Sequence, residues 1–117
     1  MIDDYEQQIR RALPYSGGTF TYEEVRDAVK AGRLQFWALN ESFVITDVVN
    51  FPSHKNLHFF LLGGAMDDMK AMQGPIEAWG KSQGCTTASA LGRKGWERSF
   101  IVERGWAPMA TLFTKEL

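Results

Sequence analysis

Three places in this 117-residue chain hold groups that can do chemistry. His58 is the only titratable residue in the apolar run 57–62, and an imidazole there can take up a proton as a general base. Gly63, Gly64 and Ala65 follow that run just before a helical pattern, and a short glycine loop lets backbone N–H groups approach a phosphate of a cofactor. Arg93, Lys94 and Arg98, with Arg104 beyond them, form a basic cluster suited to phosphates or to a partner's acidic patch. Glu97 and Glu103 are interleaved with it, which is also the pattern of an ordinary solvated helix face.

Other candidates carry less. His54 and His58 have the spacing of two metal ligands on a helix, but they fall around a strand start, where that spacing does not converge on one point. No metal site is expected. Cys85, the single cysteine, follows a glycine and has no evident His and Asn partners, so it reads as an inert thiol. Phe36 and Trp37 are neighbours on a predicted strand and must point to opposite faces, leaving one open to a protein partner unless a second layer covers it.

The elements that must position these residues follow from periodicity and capping. Ile2, Tyr5, Ile9, Ala12 and Leu13 recur at helical spacing, and Pro14 is expected to end that helix. Thr21 and Glu24 predict a capping box for a second helix, with Phe20 stapled to Val25 and Gly32 as the stop. Residues 34–39 and 42–50 read as an antiparallel hairpin around Asn40-Glu41. Residues 56–62 read as a strand covered on both faces, because nearly every position is apolar. Met66, Met69, Met72, Ile76 and Trp79 form one helical stripe, which Gly74-Pro75 should break or kink before Gly84 ends it. Residues 86–91 are small or β-branched, as in an interior strand between close neighbours. A fourth helix around Trp96 and Phe100, stopped by Gly105, and a closing strand at 108–115 complete the order. A hairpin and a parallel crossover in one sheet make an α/β (α+β) fold: a single domain, residues 1–32 forming a helical pair and 33–117 a mixed central sheet with helices on both faces.

Composition narrows the function. The 13 Lys and Arg against 14 Asp and Glu leave a net charge of −1, so no broad basic field exists to hold nucleic acid or an anionic membrane. The longest apolar stretch falls well short of the roughly 20 residues of a spanning helix. The acidic, polar opening Met1-Ile2-Asp3-Asp4 gives no expectation of a secretory leader.

Gly92-Arg93-Lys94-Gly95-Trp96-Glu97-Arg98, followed by Glu103-Arg104-Gly105-Trp106, resembles the junction of a helix and a Gly-aromatic pair that precedes the last strand in the GNAT superfamily of acyl-CoA-dependent N-acetyltransferases. The resemblance covers about residues 34–117. The whole chain, including Tyr15-Ser16-Gly17-Gly18-Thr19-Phe20 and Thr114-Lys115-Glu116-Leu117, is similar to small GNAT-like proteins of tailed bacteriophages. What the resemblance implies is a GNAT-like sheet and, in an active member, acetyl-CoA seated on an R/Q-x-x-G-x-G/A loop.

This chain offers only Gly63-Gly64-Ala65 at that loop, with Asp67 and Asp68 directly after it, where negative charge repels a pyrophosphate. Phe100, Ile101 and Val102 stand where such enzymes often carry a proton-donating Tyr. The expectation is therefore a non-catalytic GNAT-like phage protein without a bound cofactor. It would act in the virion or host cytoplasm through contacts with other virion or assembly proteins, or with itself. The competing expectation is an acyl-CoA-dependent N-acetyltransferase acting on a small amine or a protein amino group, with His58 as base.

Overall fold

A computed structural model of the chain describes residues 1–16, 18–91 and 104–117. It shows a mixed α+β fold in which a four-stranded sheet carries helices on both faces. The strands are β1 (Gln35–Leu39), β2 (Ser42–Asn50), β3 (Lys55–Gly63) and β4 (Cys85–Ala90), in the order β1-β2-β3-β4. The first three pair antiparallel, and β4 lies parallel to β3. The helices are α1 (Glu6–Ala12), α2 (Tyr22–Lys30) and α3 (Met66–Ser82).

The N-terminal stretch buries Ile2, Ile9, Ala12 and Leu13, the stripe expected from its spacing. Its backbone is a 3-10 turn (Ile2–Tyr5), then α1, then a second 3-10 turn (Leu13–Ser16). Pro14 lies inside that last turn and does not end the helical stretch before it. Its fixed φ is compatible with a tight turn. The capping box of α2 forms as expected: Glu24 N–H donates to Thr21 Oγ1 at 3.2 Å, and Thr21 N–H donates to Glu24 Oε1 at 2.8 Å. The Phe20 ring, expected on Val25, meets Phe60 edge-on at 5.0 Å.

Two registers in the sheet determine which side chains meet. Asn40 takes a left-handed φ of +54°, and the two-residue turn Asn40-Glu41 sets Leu39 opposite Ser42. Between β2 and β3, Ile45 faces Leu61 and Thr46 faces Phe59, so Phe60 is an extra residue with no opposite number. Leu57 and Phe59 therefore join the cluster under α3, Phe60 and Leu61 join the cluster under the N-terminal helices, and Leu62 returns to the α3 side. The unbroken apolar run serves two cores by way of this bulge.

The helix from Met66 is not broken at Gly74-Pro75; α3 continues through both to Ser82. It buries Met72, Gln73, Ile76 and Gly80, and Met66 stays half exposed at its start. A Cβ at Gly80 would lie 2.8 Å from Leu57 Cδ2, so the absent side chain lets α3 approach β3 closely.

The C-terminal expectations change. The fourth helix lies outside the described residues apart from its last positions, together with Arg93, Lys94 and Arg98. The strand expected at 108–115 is not formed, and these residues have no regular secondary structure. Strand propensity is realised only against a partner, and none of the described residues pairs with this segment. For the same reason β4, expected inside the sheet, is an edge strand among the described residues.

Thr21→Ala removes the hydroxyl that caps α2 and is expected to lower stability by about 1 kcal/mol in urea unfolding.

Candidate functional site

The loop 63–65 and the turn Asn40-Glu41, next to each other, line a cavity of about 830 Å³. Gln8, Arg11 and Tyr15 line it from the N-terminal stretch, and Asp68 lines it from the first turn of α3. The Asp68 carboxylate accepts from Asn40 Nδ2 at 2.9 Å and from the Ser42 hydroxyl at 2.5 Å. Ser42 Oγ in turn accepts the Ala65 N–H at 2.9 Å. Tyr5 Oη donates to the Asn40 carbonyl at 2.5 Å and ties the N-terminal turn to the same hairpin. The hydrogen bonds from Ser42 and then Asn40 hold the Asp68 carboxyl below its ordinary range.

These contacts decide how the loop behaves toward an anion. Of the three residues expected to offer backbone N–H groups, Gly63 is a ladder residue opposite Phe43, and Ala65 has its N–H spent on Ser42. The first turn of α3, where a phosphate would gain most from the helix dipole, already holds a fixed carboxylate. Gly64 has a φ of +126°, and a Cβ there would fall 2.2 Å from Ser42 Oγ. Its glycine is therefore explained by the approach to Ser42.

His58 sits elsewhere. It lies five residues before Gly63 on β3, roughly 16 Å along an extended strand. It faces a polar row on the sheet side that also carries the N-terminal helices. Asn56, His58, Thr87 and Ser89 come together there because β3 and β4 run parallel with Asn56 beside Thr87 and His58 beside Ser89. Thr87 Oγ1 donates to Asn56 Oδ1 at 2.8 Å, and Asn56 Nδ2 donates to Ser89 Oγ at 2.8 Å. Ser89 Oγ is also 2.8 Å from His58 Nδ1. Its hydroxyl proton fits that nitrogen when the imidazole carries its own proton on Nε2.

Asp47 is opposite His58 in the ladder. Burial pushes the His58 imidazole below its ordinary value, and the charge of Asp47 works against that shift. Burial likewise pushes the Asp47 carboxyl up, opposed by His58. His58 is thus a neutral base at pH 7, but its Nδ1 is engaged with Ser89, and the loop 63–65 lies at the far end of the strand.

Phe36 and Trp37 do point to opposite faces, and both are covered by their own chain. Phe36 packs on Tyr5 with ring centroids 5.4 Å apart. Trp37 packs on Trp79 at 5.6 Å and donates its indole N–H to Thr46 Oγ1 at 3.1 Å. Neither is the open aromatic expected of a contact residue, because helices cover both sheet faces at this position. His54 stacks on Phe51 in the β2–β3 turn, with centroids 5.2 Å apart. Among the described residues no three His, Cys, Asp or Glu side chains gather to hold a metal ion. Cys85 is buried.

The sequence did not single out the Asn40, Ser42 and Asp68 cluster, nor Asn56, Thr87 and Ser89. One signal was present: Thr87 and Ser89 stand two apart among alanines, so both polar groups must share a strand face. Compared with protein-family models, curated proteins and solved structures, the chain matches none.

His58 is held neutral in the fold, so the unfolded chain binds more protons as pH falls through the ordinary value of 6.5. Stability should therefore fall from pH 7 to pH 5, and His58→Gln should flatten that slope in thermal melts recorded across the range. Gly64→Ala forces a strained φ and a clash with Ser42, and its expected cost is on the order of 3 kcal/mol, read by chemical denaturation.

Proposed function

We propose that this chain is a GNAT-like domain without acyl-transfer chemistry, acting through protein–protein contacts as a structural or assembly component of a tailed-phage virion. The observation that carries the first half of this reading is the filled start of α3: Asp68 is fixed there by Ser42 and Asn40, where a cofactor phosphate would have to bind. The separation of His58 from the loop 63–65 supports it further, since acyl transfer needs the base and the cofactor at one reacting atom. The phage setting rests on the resemblance of the sequence alone.

The competing reading is an acyl-CoA-dependent N-acetyltransferase. The cavity of about 830 Å³ beside Gly63, Gly64 and Ala65 favours it, since that volume suits a sizeable small-molecule ligand. Arg11 on its wall offers a positive charge.

Titration with acetyl-CoA, followed by thermal melting, separates the two, because a ligand specific to the native state raises its melting temperature. The expected result is no saturable shift, in the wild type or in an Asp67→Ala/Asp68→Ala variant. A dissociation constant at or below about 100 μM, roughly 5.5 kcal/mol of binding, would make the acyltransferase reading the correct one.

A further inference from the structure

The segment 108–117 leaves the body of the protein with its apolar side chains in water. Met109, Leu112, Phe113 and Leu117 are 99%, 62%, 88% and 116% exposed. Its composition is that of a strand: Thr111 and Thr114 are β-branched, Phe113 is aromatic, and Pro108 stands at the first position, where a missing N–H costs no ladder bond. The segment is rooted at the β4 side of the sheet. Trp106 packs edge-on against Phe59 at 5.5 Å and joins the cluster that includes Ala90.

Next to that root lies an unpaired edge. Among the described residues β4 pairs only with β3, and its sequence Cys-Thr-Thr-Ala-Ser-Ala contains none of the Lys or Pro residues that blunt natural sheet edges. One chain thus carries both a strand-forming segment that pairs with none of the described residues and an edge able to receive one.

We infer that the chain forms a two-fold dimer in which residues 108–115 of each copy pair with the β4 edge of the other. The inference rests on the reading of the protein as a contact-making domain and names a second copy of the chain as the partner. The buried area fits. Met109, Leu112 and Phe113 offer on the order of 100 Å² each. Covering them removes a similar area from the partner, and two-fold exchange doubles the total to on the order of 1,200 Å², the lower end of the range of stable interfaces. Burial against small Thr, Ala and Ser side chains lets the incoming strand lie close, and the ladder satisfies backbone groups that β4 otherwise leaves to water.

Sedimentation velocity of the full chain over a concentration series up to about 200 μM should show a reversible dimer by mass action. Leu112→Asp/Phe113→Asp should weaken dimerisation at least about tenfold with an unchanged circular dichroism spectrum. A second measurement does not depend on those charges. Chains carrying Thr87→Cys are mixed with chains carrying either Leu112→Cys or Phe113→Cys, all with Cys85→Ser. Successive strand residues face opposite ways, so one of the two mixtures should give a covalent heterodimer under mild oxidation.

A wild type that stays monomeric overturns the inference. So does a dimer indifferent to the tail substitutions, or the failure of both mixtures to give a covalent heterodimer. These outcomes are separable from the fate of the underlying reading: a monomer that does not bind acetyl-CoA sinks the strand exchange alone, and a dimer that binds it sinks the non-catalytic reading alone.

Discussion

The extra residue in β3 is the constraint on which the rest of the fold depends. A regular strand sends alternate side chains to fixed faces, so one strand feeds each core with every second residue. Phe60 interrupts that alternation, and Leu61 thereby joins Ile9, Val25 and Ile45 on the face where His58 also lies. Leu57, Phe59 and Leu62 supply the opposite face for Met72, Ile76 and Trp37. Without the bulge Leu61 would turn toward α3, and the N-terminal helices would lose one of the strand residues they close upon. Among the described residues β3 is also the only strand paired to both an antiparallel and a parallel neighbour, so its register sets where Thr87 and Ser89 meet Asn56 and His58.

Local chemistry made most of this fold legible in the sequence. Thr21 and Glu24 fixed the start of α2, Asn40-Glu41 fixed the hairpin, and the apolar run 56–62 gave a two-sided strand, because each signal acts within a few residues. The bulge itself was hidden, since an unbroken apolar run does not say where alternation slips. Pro75 misled because its penalty is local, whereas the burial of Met72, Ile76 and Gly80 against β3 acts along the whole of α3. The tail misled for the opposite reason: its strand propensity is real in the residues, but pairing is a property of a second segment.

The groups around the cavity were legible as types and not as an arrangement. Asp68 reads from sequence as a helix-start carboxylate that repels phosphate. Its fixing by Ser42 and Asn40 comes from 26 and 28 residues away along the chain. Gly64 likewise suggests a phosphate loop when read alone, yet in the fold it is the residue that lets the loop pass over Ser42. The polar row Asn56, His58, Thr87 and Ser89 is a further case in which parallel register, invisible locally, turns scattered hydroxyls and amides into one network.

The anchoring of the N-terminal turns also fixes an order of events during synthesis. Ile2 and Ile9 are buried in a cluster that includes Phe43, Ile45 and Leu61 of the sheet, and the Tyr5 hydroxyl finds its acceptor in Asn40, 35 residues later. A segment of this length is too short to hold a helix on its own in water. Residues 2–12 leave the ribosome before β2 and β3 yet are secured only after them, and they stay open to proteases and chaperones until β3 has emerged.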